Sequence, residues 1–187
     1  GDHRDLHSFP TRRSSDRGIQ ASQALPGPVH LFVNTHPREL ERPGLINSLQ
    51  MLRQYYPQQQ LTLEIHESAV ADPGQMAAIR QALNELKIGL AYDDFGAGQS
   101  RLNELVEGCP DYLKFDISLV RGIDSSPQRQ QVLASLVRMV HDLGIHSVAE
   151  GVETVAESDT CQKMGIELAQ GFFHGRPAPV SKFGAKS

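Results

Sequence analysis

From Arg17 onward the chain alternates short β-rich runs with amphipathic helical stretches, and the runs repeatedly end in carboxylates or an ordered amide. The runs are HLFVN (30–34), LTLEIHE (61–67), IGLAYDD (88–94), YLKFD (112–116), IHSVAE (145–150) and IELAQGFF (166–173). Between them, apolar residues recur at helical spacing: Leu45, Leu49, Leu52 and Tyr56; Ile79, Leu83 and Leu86; Leu102, Leu105 and Val106; Leu133, Leu136, Val137 and Val140. Asp72 before Pro73 and Ser126 before Pro127 read as helix starts, Gly144 as a stop, and a last helix is predicted from Thr154 to Met164, ending at Gly165. Such alternation favours a parallel sheet, because parallel neighbours need a crossover and a helix supplies one. A doubly wound sheet gathers its ligand groups at one switch point, whereas a (β/α)8 barrel gathers them from the C-terminal ends of many strands. Polar groups end nearly every run here, so the barrel is preferred. Acids clustered at buried strand ends cost several kcal/mol, roughly, unless cations neutralise them, and that points to a divalent metal site.

About six βα units are visible, against the eight of a closed barrel. The first sixteen residues, GDHRDLHSFPTRRSSD, resemble the translation of a short-read sequencing adapter over their whole length. They are set apart as a non-native tail (1–16), with 17–187 as a partial domain whose opening strands are expected to lie upstream. The net charge of -4 and the lack of a basic stripe argue against polymeric nucleic acid as a partner, since that affinity comes from Lys and Arg on phosphates. Two widely separated cysteines, Cys109 and Cys161, suit a reducing, cytoplasmic compartment. No apolar run approaches a membrane span, and no leader is visible, which leaves anchoring of a longer parent open.

LEIHES, AYDDFGAGQS, YLKFD, VAEGVET and AQGFFHGRP, in that order, resemble the EAL domain, a bacterial phosphodiesterase family acting on cyclic di-GMP. The resemblance runs from about Ala24 to Pro179. It implies a modified TIM barrel, α/β in class and incomplete here, that holds two divalent cations, Mg or Mn, and hydrolyses cyclic di-GMP to linear pGpG through a bridging water. Residue by residue, it implies Asn34, Glu64, Asp93 and Asp94 as metal ligands, with Asp94 reaching the second ion. Lys114 would orient the attacking water and offset phosphate charge, and Glu150 would stand near the second metal. Asp116, Glu153 and Gln170 would support the pocket, and Glu67 would steady the loop of Gly96 and Gly98. Lys114 and Asp116, two apart on a strand, are expected on one face. A turn role before Pro37 is the alternative for Asn34, a helix-start role for Glu153, and a surface ion pair for Lys114 or Asp116. The eight histidines are not at metal-binding spacing, and His66 and His174 read as packing or surface residues.

The Glu-Ala-Leu signature is absent, and with it one metal-ligand glutamate. The loop DDFGAGQSRL differs from the common DDFGTGYSSL at Gln99 and Arg101, which bears on loop behaviour and on homodimer contacts. The chain as written is therefore expected to be a poor enzyme from an active parent, one that carries upstream sensor or cyclase domains in some arrangements of the family. The alternative is a degenerate EAL module serving as a cyclic di-GMP receptor or protein-interaction domain. Retention of every downstream acid favours the enzyme, because a receptor has no need of a complete two-metal shell.

Overall fold

The computed structural model describes residues 19–23, 29–40, 44–66, 73–98 and 102–179. Six strands pair all-parallel in chain order: β1 (His30–Thr35), β2 (Gln60–His66), β3 (Gly89–Phe95), β4 (Tyr112–Phe115), β5 (His146–Ala149) and β6 (Leu168–Ala169). The crossovers carry α1 (Pro37–Leu40), α2 (Gly44–Tyr55), α3 (Pro73–Glu85), α4 (Leu102–Gly108), α5 (Ile117–Val120), α6 (Pro127–Asp142) and α7 (Val155–Lys163). No helix among the described residues is long and apolar enough to cross a membrane.

Alternation along β2 shows how the sheet is built. Leu61, Leu63 and Ile65 are buried in the apolar core, while Thr62, Glu64 and His66 occupy the opposite face. The core side continues through Leu90 and Tyr92 on β3, and Leu113 and Phe115 on β4, and it joins Leu49 and Leu52 of α2, Ile79 and Leu83 of α3, and Leu133, Val137 and Val140 of α6.

The opposite face is concave. In a flat sheet β1 and β4 would stand about 14 Å apart, at about 4.8 Å per strand. Yet the rings of Phe32 on β1 and Tyr112 on β4 meet edge to face at 5.1 Å, and His30 lies 5.6 Å from Tyr112. Side chains three strand positions apart therefore touch across the interior, which requires strong curvature. The architecture is an incomplete TIM-like (β/α)8 barrel, and among the described residues no hydrogen bonds join β1 to β6.

Several local expectations change. α4 buries only Leu105 of its three expected apolar residues, and Leu102 and Val106 are exposed. β6 is cut to a pair of residues: beyond it Gln170 N still donates to Ala149 O at 2.8 Å, while Val152 N donates to Gln170 O and Phe173 N to Val152 O, both at 3.1 Å, which brackets a loop. Asp116 lies just past β4, where its Oδ1 accepts from Ser118 N at 2.8 Å and caps α5. Ser126 occupies the N-cap of α6 without a side-chain capping bond, and Pro127 alone supplies the start signal. Gly144 adopts φ +75° just beyond α6, the left-handed stop anticipated for it. The adapter-like segment 1–16, Asp72, Gln99 and Arg101 lie outside the described residues.

Candidate active site

Asn34 on β1 is in register with Glu64 on β2, and His66 is in register with Asp93 on β3. Partners in a parallel ladder share a face, so all of these point to the concave side near the C-terminal strand ends. Lys114, two residues after Tyr112, shares that face from β4. Asp93 and Asp94 pose a difficulty, because successive residues of a regular strand point to opposite faces. The pairing of β3 with β4 slips between Tyr92 and Phe95, and Asp94 takes φ +60°. This bulge brings both carboxylates to one side.

The centre of the cluster is the Lys114 ammonium, 2.7 Å from each of Glu64 Oε1, Asp93 Oδ1 and Glu150 Oε1. Lys114 and Glu64 are almost fully buried, and Glu150 receives a further bond from Gln170 Nε2 at 2.5 Å. Asp93, Asp94 and Glu150 each present an oxygen within 4.8 Å of the others. Although burial disfavours its charge, hydrogen bonds to the three acids raise the lysine's pKa, so Lys114 is a fixed cation. Burial raises the pKa of Glu64 despite Lys114, with Asp93 and Asp94 adding to the rise. Glu150 is pushed up to about 7 by burial and by the same two aspartates, against the pull of Lys114. One ammonium thus pairs with three carboxylates, with Asp94 a fourth beside them, and negative charge is in surplus. A surplus of buried carboxylate charge is the environment that hard, oxygen-seeking divalent cations fit.

Other site expectations land elsewhere. Glu153 is part-exposed and ion-paired with Arg121, which also donates from Nη2 to Gly151 O at 3.2 Å. Asp116 serves as the helix cap described above, and Glu67 lies outside the described residues. Sequence reading missed Glu157. Buried in α7, it accepts from Gly122 N at 2.8 Å, Glu153 N at 2.8 Å and Thr154 N at 3.1 Å, so it ties the loop after β5 to the turn after α5. The signal was present, since Thr154 and Glu157 form a T-x-x-E capping box. His66 was also underread: its Nε2 stands 2.9 Å from Asp94 Oδ2, and its spacing of two from Glu64 already put it on the acidic face. A cavity of about 530 Å³ opens at the opposite, N-terminal strand ends beside His30, Thr62, Tyr112 and His146. None of the clustered acids lines it, so it is separate from this site.

The EAL domain family model matches residues 10–177. The cyclic di-GMP phosphodiesterase RocR of Pseudomonas aeruginosa is 31% identical over 159 residues, covering 83% of this chain and 41% of its own length. The probable cyclic di-GMP phosphodiesterase PdeD of Escherichia coli is 34% identical over 156 residues, 82% of this chain and 29% of its own. In structure, Klebsiella pneumoniae BlrP1 complexed with calcium and cyclic di-GMP aligns with a TM-score of 0.81 at 36% identity, over 90% of this chain and 44% of that one. Its manganese and cyclic di-GMP complex at pH 9.0 gives a TM-score of 0.78 at 38% identity with the same coverage. This chain spans from about a fifth to about two fifths of the length of curated relatives that it matches, from 20% to 41%. With most of its length matched and its acids gathered at the C-terminal ends of a parallel barrel, the chain belongs to the EAL domain family.

Proposed function

We propose that this domain hydrolyses cyclic di-GMP to linear pGpG with two divalent cations, Mg or Mn, in a polypeptide whose barrel is closed. The observation that carries the reading is the buried Lys114 ammonium drawing Glu64, Asp93 and Glu150 together beside the bulged Asp94. The relatives named phosphodiesterases and the metal and cyclic di-GMP complexes of BlrP1 support it. Asn34, Glu64, Asp93 and Asp94 would hold the cations. When bound, these would acidify a water between them and neutralise charge on the phosphodiester. Lys114 fixes the spacing of the acids and adds a permanent positive charge facing the transferring phosphoryl group. Glu150 is held by Lys114 and Gln170 beside Asp93 and Asp94, where its carboxylate faces the same space. Arg121 and Glu157 hold the loop after Glu150 in place. A homodimer and upstream sensor or cyclase domains in the parent belong to the same proposal, and Pseudomonas aeruginosa MucR, named as a bifunctional diguanylate cyclase and cyclic di-GMP phosphodiesterase, is a relative of that composition.

The test is Mn-dependent conversion of cyclic di-GMP to pGpG, followed by chromatography in this chain and in a form extended upstream to close the barrel. In the active form, Asp93→Asn and Glu64→Gln are expected to lower turnover on the order of 10³-fold or more while the folded state persists. Near-normal turnover of either variant would overturn the ligand set. Tight cyclic di-GMP binding without cleavage in the closed form would favour the receptor reading instead.

A further inference from the structure

We infer that His66 is a positioning residue that orients Asp94 for the second of the two cations, an inference that rests on the metal reading above. Asp94 is the least constrained acid of the cluster. It is over a third exposed, its backbone is in the left-handed region at φ +60°, and the Lys114 ammonium reaches Glu64, Asp93 and Glu150 but makes no ion pair with it. A water-exposed carboxylate on a bulge samples several rotamers, and each is lost when a cation fixes one of them. His66 limits that freedom beforehand. It follows Glu64 by two residues on β2, shares its face, and sits in register with Asp93, immediately beside the bulge. Its Nε2 lies 2.9 Å from Asp94 Oδ2, so either the Nε2–H tautomer or the imidazolium donates to that oxygen. With Oδ2 engaged by His66, Oδ1 remains for a cation, and the Asp94 carboxylate belongs to the group formed with Asp93 and Glu150. The bond also ties two neighbouring strands at the point where β3 leaves its regular ladder. Groups that hydrogen-bond a metal ligand from outside set its orientation, and their loss costs about 10- to 100-fold in metal affinity.

The experiment is Mn²⁺ titration of the 187-residue chain, read by electron paramagnetic resonance for the number of ions bound and the affinity of each, with thermal unfolding recorded on the same samples. His66→Ala is expected to weaken one ion about tenfold, to leave the other within about twofold, and to change the spectrum of the weakened ion. His66→Gln, whose amide NH₂ replaces the Nε2 donor, is expected to recover most of the affinity, which a purely structural role would not explain. Unchanged affinities in His66→Ala, equal loss of both ions, or failure of Gln to restore binding would overturn the role of His66. A wild-type chain that binds no Mn²⁺ would overturn this role, whereas the metal reading itself fails only if the form with a closed barrel shows no Mn-dependent turnover, so the failures are distinguishable.

Discussion

Replacing Lys114 with Met keeps the apolar stem and removes the charge that three carboxylates approach to 2.7 Å. Removing one partner of a buried ion pair typically costs about 3–5 kcal/mol, because the remaining charge is stranded in a poorly solvating interior. For a chain of this length each kcal/mol corresponds to about 2–4 °C, so a fall in Tm of about 6–20 °C is expected at pH 8 in EDTA. The loss should depend on pH with a defined sign. Glu64 and Glu150 have pKa values raised in the folded state, and Lys114 is what holds them down, so its removal raises them further. Between the unfolded carboxylate range and those raised values the folded state binds more protons than the unfolded state, and stability falls as pH rises. The variant should therefore approach wild type near pH 4.5 and diverge from it through pH 7 and above. Divalent cation should partly substitute for the ammonium, returning about 2.7 kcal/mol at about 100 times its Kd. Thermal unfolding by circular dichroism over this pH range, with EDTA and with Mn, measures all three effects. A Tm loss that is the same at every pH, or no loss at pH 8, would refute the claim that Lys114 neutralises ionised acids.

Gly171→Ala would place a Cβ 2.1 Å from Val152 O and 2.3 Å from its N, so the backbone carrying Gln170 must move. A loss of about 3 kcal/mol is expected in urea unfolding, whereas Gly175→Ala, with nothing within 4 Å of its Cβ, should stay within about 0.5 kcal/mol; equal effects would refute the close-approach argument. Glu157→Ala leaves the amides of Gly122, Glu153 and Thr154 without their acceptor, and it should cost about 3 kcal/mol in the same assay, with a neutral result counting against the clamp. Asp111 is bound by Arg80 at 2.6 and 2.9 Å and by Leu90 N at 2.8 Å, and although burial pushes its pKa up, these bonds hold it below the ordinary value. A depressed carboxylate stabilises the fold above its unfolded pKa and loses that contribution as pH falls through the folded one. Asp111→Asn should therefore lower stability by about 1 kcal/mol at pH 7, a figure limited by its partial exposure, and flatten the fall in stability below about pH 4. An unchanged acid profile would show that the Arg80 pair is not ionic in solution.

Local chemistry in the sequence was enough to locate most of the elements. Pro127 and Gly144 bracket α6, Thr154 and Gly165 bracket α7, and β2 can be read directly because Leu61, Leu63 and Ile65 alternate with Thr62, Glu64 and His66. These signals act over one turn or one strand, where steric and hydrogen-bonding preferences are decided by neighbours in the chain. Alternation in the strands sets Glu64 opposite Leu61, Leu63 and Ile65, and Lys114 opposite Leu113 and Phe115. Periodicity misplaced Leu102 and Val106, because a short helix shows the same apolar spacing whether or not a neighbour covers it, and here only Leu105 is covered.

What the sequence determined is which side chains are available and which face of each strand they occupy. The tertiary structure decided which of them meet. Strict alternation would have sent Asp93 and Asp94 to opposite faces, and only the slipped pairing of β3 with β4, with Asp94 in the left-handed region, brings them together. Nothing local to YLKF shows that Lys114 touches acids from β2, β3 and the end of β5, since that depends on the curvature that also lets Phe32 meet Tyr112. Curvature and register are properties of several strands packed at once, summed from twist, helix packing and a bulge, so no single segment encodes them.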